Sequence, residues 1–196
     1  MNTAQPIRKP EDLRKIKSYY EVVNPNTRNQ LLIIMGLNTA LRISDILSLK
    51  WDDVYDFDKD NFKTHIILVE QKTGKISTIY INNNVIIALK KYQKELEYKQ
   101  NVIEREWYLF RHKNENIAIS RVQAFRIIKN AAEYNHIQGV ICCHSLRKTF
   151  GYYAWKQGVS PALLMNIYNH SSFQNTKRYL GIEQDDRDKI FELINL

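Results

Sequence analysis

Hydrophobic positions recur at helical spacing over most of this chain. The first such stretch follows Pro10 and ends before Asn24-Pro25, and the second runs from about Thr27 to Asn38. A proline in the first turn, acidic residues after it and an apolar stripe are typical of an amphipathic helix. A third helix is predicted to begin at Ser44, whose hydroxyl would cap it. Arg42 then lies in the tight junction between the second and third helices.

The hydrophobic pattern changes in the middle of the chain. Lys63 to Glu70 and Ile76 to Ile81 are rich in Ile, Val and Thr, and a glycine-containing loop with Lys72 at its tip separates them. Two such runs joined by a short loop predict a β-hairpin. Helical spacing then returns and predicts helices over about 85–96, 122–132, 146–157, 161–168, 172–180 and 185–196. Helices, a small hairpin and more helices indicate a mainly α fold of the α+β class.

Length and composition restrict the class of protein. The chain has 196 residues, 44% of them hydrophobic and 26% charged, which suits one folded domain and excludes collagen-like and disordered chains. Its longest apolar run, near 31–37, is far shorter than the roughly 20 residues that span a bilayer. Because 1–10 also lacks the apolar core of a secretory signal, we expect a cytoplasmic protein with no membrane partner.

The two cysteines, Cys142 and Cys143, are neighbours in the sequence. Adjacent cysteines cannot form an ordinary disulfide, because the bridge needs its two Cα atoms about 5.5 Å apart. Neither belongs to a C-x-x-C pattern of the kind that binds zinc. We therefore expect no metal site here and interpret both cysteines as buried small apolar residues.

Positive charge is concentrated in one part of the chain. The formal net charge is +8, and the segment 120–180 holds eight Lys and Arg residues but a single acidic one, Glu133. This excess predicts that a polyphosphate lies against that segment. The last stretch, 181–196, is acidic, with five Asp and Glu residues against two basic ones. Since apolar residues recur in it at helical spacing, we expect it to form a helix that docks on protein.

The basic segment also contains residues suited to phosphate chemistry. His144 and Arg147 are three residues apart, on one face of a helix, with no acidic residue beside them. His170 and Tyr179 follow, nine residues apart. Each pair alone is common on helices. A His-Arg pair is most often an exposed pair, and a tyrosine at a given spacing is most often a core residue. Only the joint pattern with the earlier arginine and the hairpin lysine is specific.

That joint pattern resembles the tyrosine recombinase (phage integrase) family. The stretch 41–49, the hairpin lysine, the His-x-x-Arg of 144–147, His170 and Tyr179 occur in that family's order and approximate spacing. The chain resembles the family's catalytic domain over almost its whole length. The resemblance implies a helical catalytic-domain fold with a small antiparallel hairpin near 63–81. It also implies a site-specific DNA recombinase or integrase that needs no metal, ATP or other cofactor.

The resemblance implies a role for the tyrosine and the two arginines. Tyr179 would attack a DNA phosphodiester in line, giving a phosphotyrosyl link at the 3′ end and a free 5′ hydroxyl. Arg42 and Arg147 would hold the two non-bridging oxygens, since planar guanidinium groups match the geometry of a phosphate. They would also stabilise the extra charge of the transition state in place of a metal ion.

The resemblance implies proton transfer by the lysine and the histidines. Lys72 would protonate the departing 5′ oxygen, and Lys75, in the same loop, is the alternative. His144 would accept the phenolic proton or donate to the phosphate. His170 would hydrogen-bond a phosphate oxygen and position the tyrosine helix.

The chain departs from the usual family pattern in three ways. Asn169 stands where the family usually has glycine, and Lys148 follows the second arginine where histidine is frequent. Most members carry a separate N-terminal DNA-binding domain, whereas only some ten residues precede the first predicted helix here. In this the chain resembles short stand-alone members such as fimbrial switch invertases. We therefore expect a catalytic domain over 1–182, no N-terminal core-binding domain, and a tail helix over 183–196. The resemblance implies that this helix is exchanged between protomers, and the alternative is that it packs back on its own domain.

The expected partner is double-stranded DNA with inverted-repeat half-sites, and association with the nucleoid follows. Self-association on DNA into a dimer or tetramer is expected, and an accessory DNA-bending protein is a further candidate partner. Three alternative functions stay open. A type IB topoisomerase-like enzyme would rejoin the same strand, and a non-catalytic DNA-binding regulator could keep the fold. An RNA-cleaving enzyme with His144 and His170 as acid and base would leave Tyr179 and Lys72 without a role.

Overall fold

The computed structural model describes residues 4–100, 102–113, 115–182, 188 and 190–194. The helices are α1 (Pro10–Ser18), α2 (Thr27–Asn38), α3 (Ile43–Ser48), α4 (Trp51–Val54), α5 (Asn83–Tyr98), α6 (Arg121–Tyr134), α7 (Cys143–Lys156), α8 (Pro161–Tyr168) and α9 (Phe173–Leu180). The strands are β1 (Tyr55–Asp56), β2 (Asn61–Phe62), β3 (His65–Val69) and β4 (Ile76–Tyr80). The predicted mainly α fold with a small antiparallel sheet is confirmed. No described helix is long and apolar enough to cross a membrane.

Local sequence explains where most helices begin. The Asn26 side chain accepts a hydrogen bond from the Asn29 amide, and α2 has the predicted bounds. The prediction for α3 is wrong at its start: the helix begins at Ile43, Arg42 is its N-cap residue, and no side chain caps it. Ser44 already has helical backbone there. The first helix continues into a π-helical turn, Tyr19–Val23, which its apolar spacing did not predict.

The predicted hairpin is formed by β3 and β4. The two strands pair antiparallel from His65 opposite Tyr80 to Val69 opposite Ile76. The Glu70 amide donates to the Lys75 carbonyl at 2.9 Å and closes the loop that carries Lys72. Gly74, in that loop, has a φ of 65°, a conformation that glycine adopts without strain. The hairpin therefore presents a short, closed loop beside the helices.

The apolar core consists of two clusters. The larger one is rich in Leu and Ile and joins α2, α5 and α6 to the hairpin. The smaller one lies between α7, α8 and α9, and its buried residues are Ala40, Tyr152, Leu164, Tyr168, Leu180 and Ile182. Helix α7 contributes Leu146 to the first cluster and Tyr152 to the second. It therefore connects the two.

The N-terminal segment of the described chain lies against α7, and the C-terminal residues follow α9. The N-terminal segment crosses α7, with the Lys148 ammonium donating to the Ala4 carbonyl at 2.8 Å and the Ile7 amide donating to the Thr149 hydroxyl at 2.8 Å. Of the predicted tail helix, 183–187, 189, 195 and 196 lie outside the described residues. The backbone at 188 and 190–193 is helical, and its apolar side chains are exposed.

Candidate active site

The six predicted site residues come from five parts of the chain. Arg42 is the N-cap of α3, Lys72 lies in the hairpin loop, His144 and Arg147 are in the first turns of α7, His170 follows α8, and Tyr179 is in the last turn of α9. A cavity of about 410 Å³ opens between α3, the hairpin loop and α7. Four of the six residues line it, namely Arg42, Lys72, His144 and Arg147. The other two lie on the Arg147 side, as their contacts below show.

Arg147 is a buried cation with an aromatic neighbour. Its side chain reaches the cavity from α7, and the guanidinium carbon lies 4.9 Å from the centroid of the Tyr168 ring. Burial lowers the pKa of Arg147, but a guanidinium remains charged at any physiological pH. Within the described residues, no carboxylate forms an ion pair with Arg147. An anion that enters the cavity would therefore meet an uncompensated positive charge.

Arg42, by contrast, is paired with an acidic residue. Its guanidinium forms an ion pair with Glu70, at the end of β3. The Glu70 carboxylate is buried and also accepts hydrogen bonds from Thr73, Ser77 and Asn169. Burial by itself would raise the pKa of Glu70, but the hydrogen bonds from Ser77, Arg42 and Thr73 outweigh it and lower the pKa. Glu70 is thus ionised in the site, a residue that the sequence analysis did not single out.

The hairpin loop brings one of its two lysines to the cavity. Lys72 lines the cavity, and its charge is one of the causes that lower the pKa of His170. Lys75 is not among the lining residues, and its carbonyl closes the hairpin through the Glu70 amide. Lys72 is therefore the loop lysine that lines the cavity.

The two histidines have different surroundings. His170 is half-buried, its Nδ1 lies 3.1 Å from the Thr176 hydroxyl, and its ring stacks on Tyr168 with centroids 5.5 Å apart. Burial and the charges of Arg147, Arg42 and Lys72 lower the pKa of His170, which is therefore neutral at pH 7. His144 is exposed at the start of α7, where it lines the cavity and forms a hydrogen bond with the Cys142 thiol.

Tyr179 is packed among rings. Its ring centroid lies 5.3 Å from that of His170 and 5.4 Å from that of Tyr168, and the Lys148 ammonium lies 5.0 Å from it. Burial raises the pKa of the Tyr179 phenol, an effect that Arg147 and Arg42 partly offset. Among the described residues, no side chain or backbone group hydrogen-bonds the Tyr179 hydroxyl. The phenol is therefore protonated at neutral pH and needs a base before it can act as a nucleophile.

Further residues support the site and escaped the sequence analysis. The buried Tyr168 hydroxyl donates to the Arg147 carbonyl at 2.7 Å, which ties α8 to α7. The buried Asp45 carboxylate accepts from the Gln71 amide at 3.0 Å, and its other oxygen has no partner among the described residues. The only sequence signal for Asp45 was its place one turn after Arg42.

Both cysteines are only half-buried, so the interpretation of them as buried apolar residues is wrong, and most clearly so for Cys142. This residue is the N-cap of α7. Burial raises its pKa, but hydrogen bonds from His144 and from backbone amides outweigh burial and lower the pKa to about 7. The neighbouring Cys143 shows the opposite effect, with its pKa raised by burial to about 11. In the part of the chain that the structure describes, no three His, Cys, Asp or Glu side chains could hold a metal ion.

Comparisons with known proteins agree with this geometry. A family model described as the phage integrase family matches residues 9–185. The probable integrase/recombinase YoeC of Bacillus subtilis is 39% identical over 186 residues, which are 94% of this chain and 93% of that protein.

The crystal structure of XerA recombinase has a TM-score of 0.75 at 18% identity, covering 98% of this chain and 66% of that one. The structure of XerH site-specific recombinase in its post-cleavage complex with a palindromic difH substrate has a TM-score of 0.72 at 17% identity, covering 91% of this chain and 50% of that one. This chain thus spans nearly all of the Bacillus protein but half to two thirds of the solved recombinases.

Proposed function

The chain belongs to the phage integrase family, and we propose that it is a site-specific DNA recombinase of the tyrosine type. It cleaves and rejoins DNA through a covalent link between Tyr179 and a DNA 3′ phosphate. The observation that carries this proposal is the cavity lined by Arg42, Arg147 and Lys72, with the Tyr179 phenol packed beside it. Arg121 also lines the cavity, so four cations and a nucleophile around one opening suit a phosphodiester.

The two arginines bind the scissile phosphate. Each non-bridging oxygen takes hydrogen bonds from one guanidinium, and the phosphate supplies the negative charge that buried Arg147 lacks. The phenolic oxygen then attacks phosphorus, the bond to the 5′ oxygen breaks, and the phosphotyrosyl ester conserves the energy of the broken bond. Rejoining is the same step in reverse, so no ATP is consumed.

Proton transfer accompanies the attack. The phenolic proton goes to His144, which is exposed to the cavity, and Lys72 supplies a proton to the departing 5′ oxygen. His170 is held by Thr176 through Nδ1, which leaves Nε2 as the ring nitrogen for a phosphate oxygen. Its contact with the Tyr179 ring also holds the nucleophile next to the phosphate.

The proposed partner is double-stranded DNA, and the protein would associate with the nucleoid. The excess of basic residues over 120–180 supports this partner, because Lys and Arg contacts to phosphates dominate the affinity of DNA-binding proteins. A relative of the same fold, XerH recombinase, was solved on a palindromic DNA substrate. For the present chain we propose inverted-repeat half-sites, bound by a dimer or tetramer with or without an accessory DNA-bending protein.

Trapping of the covalent intermediate tests the proposal. A duplex would be selected from a random-sequence library by binding to the protein, and then nicked beside the cleavage position so that the freed 5′ end diffuses away. We expect a protein-DNA adduct on a denaturing gel, formed equally well in EDTA, with the DNA attached through its 3′ end. Binding without any adduct would contradict the proposal and favour a non-catalytic regulator. Relaxation of supercoiled plasmid without strand exchange would favour a type IB topoisomerase-like enzyme.

The tail is proposed to dock on a neighbouring protomer. Ile190, Phe191 and Leu193 are exposed on this chain, which supports a partner surface elsewhere. A chain that ends at Glu183 should remain folded and bind one half-site, while it loses cooperative occupancy of two half-sites and recombination. If the shortened chain unfolds or recombines normally, the tail is not exchanged.

A further inference from the structure

Glu70 connects three parts of the site, and no proposed catalytic step uses it. We propose that Glu70 is a positioning residue that sets the orientation of the Arg42 guanidinium, and that Asn169 extends this control to the turn that carries His170. The inference concerns the DNA-free protein and, for its effect on cleavage, rests on the proposed function.

The Glu70 carboxylate is fully used by donors. Its Oε2 accepts from the Arg42 guanidinium and from the Thr73 hydroxyl at 3.0 Å. Its Oε1 accepts from the Ser77 hydroxyl at 2.8 Å and from the Asn169 amide at 2.9 Å. A carboxylate has about four lone-pair positions, so these four contacts saturate it. Because the residue is only 4% exposed, water does not compete for those positions.

A saturated, buried carboxylate can hold the arginine in one orientation. Arg42 offers five N–H groups in a rigid plane, and Glu70 accepts from Nη1. The remaining donors are left for the cavity that Arg42 lines. Since the guanidinium is already ordered, a phosphate that enters need not pay the full cost of ordering that side chain. Lys72 is two residues from Glu70, so the same contact also fixes the arginine relative to the hairpin loop.

Asn169 brings the third segment into this arrangement. It ends α8 in the left-handed conformation, with φ 54° and ψ 42°, and His170 follows it directly. Glycine would adopt this backbone at no cost, and asparagine adopts it more readily than most residues. The amide donates to Glu70 across 99 positions of sequence. Asparagine therefore gives this turn a contact to the hairpin that glycine cannot make.

The variant Glu70→Gln keeps the size of the side chain, removes its negative charge and selectively removes the positioning of Arg42. All four partners donate, so an amide in place of the carboxylate can accept on one side only and confronts two donors with its own N–H groups. Glu95, on the far helix α5, offers a matched control, because its carboxylate accepts from the Thr27 hydroxyl and the Lys99 ammonium. Asn169→Gly is the second variant, since it keeps the backbone conformation and removes only the amide.

The first measurement needs no DNA. In protein labelled with ¹⁵N-arginine, NMR should give separate, slowly exchanging Nη signals for Arg42 in the wild type and in Glu95→Gln. Those signals should average in Glu70→Gln, because rotation about the guanidinium bond is no longer hindered. Slow rotation that persists in a folded Glu70→Gln protein would overturn the inference, whatever the protein does to DNA. If that variant does not fold, the same reading is taken on Asn169→Gly, where partial averaging is expected.

The second measurement connects the arrangement to cleavage. On the nicked, selected duplex, Glu70→Gln should slow single-turnover cleavage by about 10- to 100-fold, as expected for loss of a charged hydrogen bond, with DNA affinity nearly unchanged. Asn169→Gly should slow it several-fold, and Glu95→Gln should not. In an Arg42→Ala background, Glu70→Gln should have almost no further effect. A full additional loss there would mean that Glu70 acts through folding alone. Normal cleavage by Arg42→Ala itself would instead contradict the proposed role of the arginine and leave the NMR result standing.

Discussion

The two arginines of the site are held in opposite ways. Arg42 is paired with a buried carboxylate that three other donors also fix. Arg147 lies against the Tyr168 ring, with no acidic partner in the described part of the chain. The Arg42 side is therefore ordered by directional, charged hydrogen bonds, whereas the Arg147 side is ordered by packing. We infer that the orientation of Arg42 is set before DNA binds. Arg147 then gains the larger electrostatic stabilisation from the charge of the phosphate.

The same difference extends to the helices behind each arginine. Arg42 adjoins the large Leu- and Ile-rich cluster, while Arg147 adjoins the small cluster between α7, α8 and α9. In the small cluster the Tyr168 hydroxyl is hydrogen-bonded, whereas the Tyr179 hydroxyl has no hydrogen-bond partner among the described residues. Under the proposed function, these two tyrosines of one cluster have different tasks, one structural and one chemical. Substitutions of these side chains and their neighbours test that division.

Tyr179→Phe should abolish the covalent adduct completely. The substitution removes the one oxygen that can attack phosphorus and keeps the ring that packs on Tyr168 and His170. DNA affinity and thermal stability should remain close to those of the wild type, as measured by fluorescence anisotropy and by calorimetry. A protein-linked 3′ end in this variant would exclude Tyr179 as the nucleophile.

Tyr168→Phe is the matched control for that experiment. It removes a hydroxyl from a fully buried ring in the same cluster and breaks the bond to the Arg147 carbonyl. The carbonyl is left without that donor, so we expect a loss of about 1–3 kcal/mol of stability. The adduct should still form below the melting temperature. If Tyr168→Phe lost the adduct and Tyr179→Phe kept it, the structural and chemical tasks would be reversed.

Lys72→Ala tests the part of the site next to Arg42. We expect it to lower the cleavage rate by about 10²- to 10⁴-fold, as is typical of a missing general acid. A substrate with sulfur at the bridging 5′ position has a better leaving group and should restore the rate. Lys75→Ala is the control, because its side chain is not part of the cavity lining. Rescue of Lys75→Ala by the sulfur substrate, without rescue of Lys72→Ala, would mean that Lys75 and not Lys72 is the general acid.

The pH dependence of cleavage separates the histidines. Burial raises the pKa of the Tyr179 phenol above its ordinary value of 10, so the phenolate fraction grows with pH throughout the neutral and mildly alkaline range. A variant without the base depends on that fraction. His144→Ala should therefore lose about 10²-fold at pH 7 and recover as the pH rises. His170→Ala should show no such recovery, and recovery in it alone would exchange the two roles.

Sequence pattern predicted the helices that have caps and clear periodicity. Helices α2 and α8 have the predicted bounds, because Asn26 and Ser160 cap them. The elements that it missed are too short to show a period, as with α4 and the two-residue strands β1 and β2. At α3 the same capping rule failed, since the chain enters that helix through an extended Arg42 and not through a serine.

The candidate site was predictable where its residues form an ordered motif. Six side chains named from the sequence lie around or beside one cavity. Glu70 could not be found in this way, because the two partners that place it in the site, Arg42 and Asn169, are 28 and 99 positions distant and a single acid at a strand end has no local signature. Contacts of that kind depend on the three-dimensional fold, as does the choice between Lys72 and Lys75.

Gly151→Ala should have the smallest effect of these changes and tests the small cluster directly. A Cβ at Gly151 would lie 2.5 Å from the Tyr168 hydroxyl oxygen and 2.6 Å from a Leu180 methyl carbon, so α8 and α9 must shift away from α7. Overpacking of this kind costs about 1–3 kcal/mol, partly offset by the better helix propensity of alanine. Because Leu180 follows Tyr179 in the chain, we expect cleavage to fall several-fold at temperatures where the variant is fully folded.

Gly158→Ala is the control: its φ of 82° makes alanine strained there too, but its Cβ would meet no atom within 4 Å. Both variants should lower the melting temperature, and only Gly151→Ala should slow cleavage. Equal cleavage by the two variants would mean that the packing of the small cluster does not position the nucleophile.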